Sequence, residues 1–234
     1  MKVSFVIPTF NCAAFLPHAV RSCLDQSYKD VEIVIVDDCS TDTTTDYLAW
    51  LAAQGHKNIK IARNGQNKGR SESRNIGNKL ATGDIILVLD ADDLAVKTRA
   101  EWTVKTMKAK KAKVVYGAAV VMDALGNALN EIPANQVDLK NCIERKQNGI
   151  VHSTMAYTKD IAEKYQYEGG EVCALGLDDY MLQLTMLVDG VEFAAIPDVL
   201  CAYRTHGEAI TQKRDAKQVD ALKNKIIEGL KCTI

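Results

Sequence analysis

Long hydrophobic runs are missing from this chain: nowhere in its 234 residues do 18 apolar residues follow one another, so no membrane-spanning helix is predicted. Lys2 followed by Val3 to Phe10 imitates a signal peptide only faintly, because Pro8 and Asn11 break the apolar stretch and no cleavage-like site follows. Charge of one sign is also lacking. Lys and Arg number 29 against 30 Asp and Glu, a net of -1, which argues against bulk nucleic acid as a partner. Disulfide and zinc spacing are absent too. The seven cysteines (12, 23, 39, 142, 173, 201 and 232) are odd in number and never form CxxC. They read as reduced thiols, which suits a cytoplasmic protein. With four prolines, no internal repeat and no Pro/Gly linker, the chain is expected to fold as one domain over residues 1–234.

What is present is alternation. Val3 to Thr9 (VSFVIPT), Val31 to Val36 (VEIVIV), Asn58 to Ala62 (NIKIA) and Asp84 to Leu89 read as strands. Between them lie helices over Ala14 to Gln26, over Thr41 to Gln54 with Ser40 or Thr41 as N-cap, and from the Asn64 to Gly69 loop to about Ala81. The pattern predicts an α/β fold with a mainly parallel central sheet flanked by helices. The second half is less regular. Val114 to Met122 is read as a strand, Asp123 to Leu129 as a hairpin turning at Gly126-Asn127, and Gly149 to Tyr157 as a further strand. A helix is expected over Asp178 to Val188, an extended segment over Glu192 to Tyr203, and an amphipathic helix over Asp215 to Leu230.

In parallel sheets of this kind ligands bind at the carboxyl ends of the strands. Those ends carry Thr9 and Asn11, then Asp37 and Asp38, then Asp90, Asp92 and Asp93 in "ILVLDADDLAV". Three carboxylates this close repel unless a cation sits among them, and a hard divalent ion shared with phosphate oxygens would serve. The competing reading is that Asp92 or Asp93 caps the following helix and Asp90 is solvated. A calcium loop would need glycine at position 95, which is Ala. An aspartate-nucleophile phosphatase would need Thr or Val at position 94, which is Leu. For the Asp37-Asp38 pair, helix capping competes with a hydrogen bond to a base or ribose.

Four motifs in order narrow the choice: "VIPTFN" (Val6 to Asn11), "VDDCSTDTT" after the second strand, "NKGRSESRNIGNKLATGD" from Asn67, and Asp90-Ala91-Asp92-Asp93. Together they closely resemble the family 2 glycosyltransferases with the GT-A fold, a Rossmann-like architecture, over about the first 95 residues. The resemblance implies a nucleotide-sugar-binding half (1–95) and an acceptor-side half with the C-terminal helix (96–234). It implies Pro8, Thr9, Asn11 and Asp38 beside the nucleoside, with Gly69 and Arg74 bordering it. Asp90, Ala91 and Asp92 match the family's DxD element, with Mn²⁺ or Mg²⁺ held by Asp92, Asp90 and Asp93.

The resemblance also directs attention to "ALGLDDYMLQL" (Ala174 to Leu184). There the family places an acidic pair whose second member is the base, which implies Asp179 as catalytic base and Asp178 as an acceptor contact. This chain has Asp where the family often has Glu at the first position. Capping and dipole stabilisation by the same pair is the competing reading. "LCAYRTHGEAIT" (Leu200 to Thr211) resembles the family's Tyr-Arg-x-His segment, implying His206 near the metal and Arg204 near phosphate. The histidines at 18, 56 and 152 receive no role. The implied activity is inverting transfer from a nucleoside-diphosphate sugar, UDP-linked by default, to a glycan or lipid-linked acceptor in envelope synthesis. Lys97 to Lys113 holds seven basic residues against Glu101 alone, and it can serve as a solvated helix face, a peripheral membrane contact or a nucleic-acid contact. The alternatives are transfer to modified nucleic-acid bases, a metal-dependent phosphatase, a sugar-nucleotide-binding module without turnover and a structural protein, the last of which would not explain so many acidic strand ends.

Overall fold

A computed structural model describes residues 1–207 and 214–231. Its sheet is mixed. β1 (Val3–Thr9), β2 (Val31–Asp37), β3 (Ile59–Arg63) and β4 (Ile85–Val88) run parallel in the order β3-β2-β1-β4, with Val3 opposite both Val31 and Ile85. Every residue of β1, β2 and β4 is buried, as expected for strands covered on both faces. The period of two sorts them between two cores. Phe5, Ile7, Ile33, Ile35 and Leu87 pack with Leu16, Ala19 and Val20 of α1 (Leu16–Leu24). Val6, Val34, Val36, Ile86 and Val88 pack on the opposite face with Ile76 of α3 (Arg70–Leu80).

α2 (Thr44–Ala53) begins later than the sequence predicts, and neither Ser40 nor Thr41 caps it. The Ser40 hydroxyl is occupied in accepting from the Asn11 amide at 2.9 Å, and Asp42 accepts from Thr44 N at 3.0 Å instead. α3 approaches the sheet so closely that a Cβ on Gly77 would lie 2.4 Å from Val6 Cγ1 and 3.4 Å from Val36 Cγ2. Gly77→Ala is therefore expected to cost about 1–3 kcal/mol in denaturant unfolding through overpacking. Gly65→Ala, where a Cβ meets nothing within 4 Å, is the neutral control. Equal midpoints for the two variants would refute the close approach.

Past β4 the sheet combines antiparallel with parallel pairing. The two-residue β5 (Leu94–Ala95) lies at the far edge, α4 (Arg99–Lys110) follows, and β6 (Val114–Met122) forms the expected hairpin with β7 (Ala128–Ile132). α5 (Leu139–Arg145) precedes β8 (Ala156–Thr158), which is antiparallel to both β4 and β6. The strand predicted over Gly149 to Tyr157 is thus mostly a turn, with a 3₁₀ helix over His152–Thr154. Its side chains pull it out of extension: Thr154 Oγ1 donates to Val151 O at 2.7 Å and Ser153 Oγ accepts from Asp90 N at 3.2 Å. α6 (Lys159–Lys164), α7 (Gly170–Ala174) and α8 (Asp178–Val188) lead to β9 (Phe193–Arg204), parallel to β6 and antiparallel to β5, and α9 (Ala216–Lys231) ends the chain's described part. Leu177, Tyr180 and Leu184 meet Val219, Leu222 and Ile226 in a third core that fixes α9 beside the start of α8.

The basic stretch is mainly α4. Its first arginine is not solvated: Arg99 is fully buried and donates to Val88 O at 2.5 Å, pinning the helix under β4. Among the described residues no helix is long and apolar enough to cross a membrane, and the cysteines at 12, 23, 39, 142, 173 and 201 are free. Cys232 lies outside the described residues.

Candidate active site

The carboxyl ends of β1, β2 and β4 open into a cavity of about 1230 Å³ lined by Pro8, Asp38, the acidic motif and residues of α8 and α9. At the β1–β2 end the groups first hold one another. Asn11 sits at φ 48, a left-handed conformation that Asn tolerates. Its Oδ1 accepts from Thr41 N at 2.8 Å and Asp42 N at 3.3 Å, which ties the loop after β1 to the loop after β2. The Asp38 carboxylate accepts from Asn64 Nδ2 (2.7 Å), Lys68 N (2.8 Å) and Gly69 N (2.7 Å). These bonds fix the loop entering α3, where Gly69 takes φ 85. Pro8, Asn11, Asp38 and Gly69 all line the cavity. Thr9 does not. It is buried, and its contribution is a main-chain carbonyl accepting from Asp38 N at 2.8 Å.

The three aspartates after β4 diverge. Asp90 accepts from Arg74 Nη2 at 2.5 Å, which holds its carboxyl below the usual range although burial pushes the other way. Asp92 Oδ2 lies 2.9 Å from His206 Nε2. Both side chains, with Ala91 between the aspartates, line the cavity. Asp93 is turned inward at 1% exposure and accepts from Arg204 N at 2.8 Å. Burial, then Asp92 and Asp90, push its carboxyl well up. The structure therefore does not join Asp93 to the other two as a ligand. The chain turns here between β4 and the edge strand β5, with Asp93 N donating to Asp90 O at 3.1 Å, and the turn carries Asp93 away from the cavity that Asp90 and Asp92 line.

Arg204 lines the cavity beside His206, and main-chain carbonyls engage two of its nitrogens. Its Nε donates to Asp92 O at 2.9 Å and its Nη1 to Asp123 O and Ala124 O at 3.2 and 3.0 Å, with the guanidinium 4.8 Å from the Phe15 ring centre. It buttresses the acidic motif through main-chain carbonyls. The end of the segment that carries Arg204 and His206, residues 208–211, lies outside the described residues.

Asp178 and Asp179 open α8 and have different environments. Asp178 is fully buried and does not face the cavity as the acceptor contact expected of it. Its Oδ1 accepts from Arg70 Nη2 (2.5 Å) and Nε (3.0 Å), and its Oδ2 from Arg74 Nη1 (2.5 Å). Burial raises its carboxyl, but Arg74 and Arg70 overcome that and hold it low. Arg74 thus joins Asp90 on one side to Asp178 on the other. Asp179 lines the cavity, accepting from Asn148 Nδ2 at 2.5 Å and Tyr180 N at 2.7 Å. Burial first and Asp178 second push its carboxyl up. Adjacent carboxylates driven apart in this way suit one to structural pairing and the other to taking a proton.

Three contributors escape the sequence reading. Arg70 lies one turn before Arg74 on α3, so i, i+4 spacing would have exposed it. Asn148 belongs to a loop with no recognisable pattern. His152 is buried beside the cavity, with Nε2 2.9 Å from Tyr167 Oη. Burial, then Arg74, push its ring down to about 3, so it is neutral at ordinary pH.

No three His, Cys, Asp or Glu side chains gather as a ready-made metal cage among the described residues. The donors that face the cavity together are the Asp92 carboxylate and His206 Nε2. Mg²⁺ and Mn²⁺ are commonly held by one or two carboxylates and completed by substrate phosphates and water. The pair therefore fits such an ion once a diphosphate supplies the remaining oxygens.

Residues 4–166 match the model of a family described as glycosyl transferase family 2. An uncharacterized glycosyltransferase of Nostoc sp. is 28% identical over 88% of this chain and 66% of its own length. The UDP-Glc:alpha-D-GlcNAc-diphosphoundecaprenol beta-1,3-glucosyltransferase WfaP of Escherichia coli is 26% identical over 91% of this chain and 80% of its own. The chain spans 66% of the first of these relatives and 60% of one from Haemophilus influenzae. In structure it resembles S. aureus TarS in complex with UDP-GlcNAc, with a TM-score of 0.75 at 18% identity over 97% of this chain and 66% of that one. It also resembles the Pyrobaculum calidifontis mannosyltransferase in complex with GDP-Man and Mn²⁺, with a TM-score of 0.66 at 18% identity over 89% of this chain and 58% of that one. These two likenesses show the GT-A fold.

Proposed function

The chain belongs to glycosyl transferase family 2, and from that premise we propose that it is a metal-dependent, inverting glycosyltransferase moving a sugar from a nucleoside-diphosphate donor to an acceptor hydroxyl. The observation that carries the reading is one cavity lined by Asp92, His206 and Asp179, the last with its carboxyl raised. UDP is the preferred carrier, supported by WfaP's UDP-Glc and the UDP-GlcNAc bound to TarS. A lipid-linked glycan of envelope synthesis is the preferred acceptor, supported by WfaP's diphosphoundecaprenol-linked substrate. The enzyme would meet such an acceptor at the cytoplasmic face of a membrane.

The nucleoside lies between Pro8 and Gly69. Asp38 Oδ2 accepts one described bond and keeps a lone pair for a base N–H. Asp92 and His206 would hold Mn²⁺ or Mg²⁺, which would supply charge stabilisation to the departing diphosphate. Asp90, clamped by Arg74, accepts from a donor hydroxyl through its remaining oxygen. Asp179 takes the proton of the acceptor hydroxyl, whose oxygen attacks the anomeric carbon opposite the leaving diphosphate and inverts it. The pair Asp178 and Arg74 keeps α8 in register with the acidic motif while this happens.

The test is thermal unfolding of the protein with UDP, GDP, dTDP, ADP or CMP, each with and without Mn²⁺. A ligand at a hundred times its dissociation constant stabilises the native state by about 2.7 kcal/mol. One nucleoside diphosphate is expected to raise the midpoint only when Mn²⁺ is present. If none does, the cavity is not a donor site, and release of phosphate from generic esters becomes the next assay.

A further inference from the structure

The α9 end of the cavity carries charge that the reaction above does not use. Arg214, just before α9, and Lys223, two turns into it, are half-buried and line the same cavity as Asp179. Their hydrogen-bond partners are main-chain carbonyls: Arg214 Nη1 donates to Gly176 O at 3.2 Å, and Lys223 Nζ to Lys146 O at 2.6 Å, with Lys223 Nζ also 5.4 Å from the Tyr180 ring centre. Neither forms an ion pair with a carboxylate among the described residues. Asp215, the neighbour of Arg214, is spent on the amides of Lys217 and Gln218 at the start of α9.

Buried or half-buried cations without a counter-charge are costly, and an anion that arrives between them removes the cost. The local balance points the same way. Burial and then Arg214 push the Lys223 ammonium down, and Asp220 and Asp179 do not restore it. The third core holds α9 against the start of α8, which carries Asp179, so Lys223 is fixed in the same cavity as that carboxylate.

We infer that Arg214 and Lys223 form an anion subsite that recognises a phosphate or diphosphate carried by the acceptor. The inference rests on the glycosyltransferase reading and deepens it: the acceptor hydroxyl would be delivered to Asp179 by a sugar still esterified to its phosphate. The reaction that supplies this substrate is therefore of the class that leaves a sugar on a phosphate or diphosphate.

The test begins with protein saturated by UDP and Mn²⁺, so that the donor's own diphosphate place is filled. Methyl diphosphate and a short-chain alkyl diphosphate are then titrated calorimetrically into wild type and into Arg214→Gln/Lys223→Gln. Wild type is expected to bind, and the double variant to bind at least about tenfold more weakly, the effect of losing one charged hydrogen bond. The UDP dissociation constant should be the same in both, which also reports that the variant is folded. Tighter binding of the alkyl compound than of the methyl compound would mark a lipid carrier as the source of the diphosphate. Equal binding would mark the phosphate group alone. A second readout needs no variant: methyl diphosphate should slow acetylation of Lys223 relative to the exposed Lys217, followed by mass spectrometry. Unchanged diphosphate binding in the double variant, or unprotected Lys223, would overturn the subsite. Failure to bind UDP at the outset would overturn the donor reading instead.

Discussion

Asp179→Asn is expected to reduce sugar transfer by about 10²- to 10⁴-fold, the ordinary contribution of a positioned general base, while UDP binding in the presence of Mn²⁺ stays within about twofold. The amide retains the size of the carboxylate and can still accept from Asn148 or from Tyr180 N, though not from both, so the fold should tolerate it. It also relieves the like charge of Asp178. The wild-type rate should depend on pH with a definite sign. The base works deprotonated, and burial and Asp178 raise its carboxyl, so kcat should climb with pH through a midpoint above the ordinary aspartate value of about 3.9. Asn148→Ala removes a donor that favours the charged form and should move that limb to higher pH. Transfer near wild type in Asp179→Asn, or a limb in the ordinary carboxylate range, would remove Asp179 from the role.

The parts of this molecule that were legible in its sequence are those whose signal is local. β1, β2 and β4 are unbroken apolar runs because helices cover both of their faces, and their ends announce the site. Asp38, Asp90 and Asp92 stand where a strand stops, so position made them candidates, while Asp179 at a helix start was picked out by the family resemblance. Orientation was not legible. Thr9 follows the cavity-lining Pro8 yet faces the interior, and Asp93 follows Asp92 yet bonds to Arg204 N. In both cases the residue type was informative and the direction depended on which neighbour the backbone met. Asp178 belongs to the same class: its partners Arg70 and Arg74 lie 108 and 104 residues away in sequence, and no local pattern records such a pairing. His152 was passed over because a lone histidine has no spacing to read, and the strand predicted around it gave way to contacts with Tyr167 and Asp90.

Removing Arg74 should have the largest effect on stability. The guanidinium is almost wholly buried, reaches Asp90 and Asp178 through separate nitrogens at 2.5 Å each, and lies 5.3 Å from the Tyr167 ring centre. Arg74→Ala leaves Asp178 fully buried with Arg70 alone, and leaves Asp90 beside Asp92 and Asp93 without its cation. Breaking a buried pair at one partner costs about 3–5 kcal/mol, which for a chain of this size lowers the thermal midpoint on the order of 10 °C. Arg74→Lys should recover only part of the loss, because a single ammonium cannot span both carboxylates in a fork. Asp178→Asn in the Arg74→Ala background should cost much less than in wild type, since the charge it removes is then poorly compensated. Acid unfolding gives an independent check. Asp178 is held low in the folded protein, so its contribution is present above the ordinary carboxylate value and lost as pH falls through the depressed one. Without Arg74 that loss should begin at higher pH. A variant whose midpoint scarcely moves would mean that Arg70 alone neutralises Asp178, and that Asp90 is not tied to α8 through a shared cation.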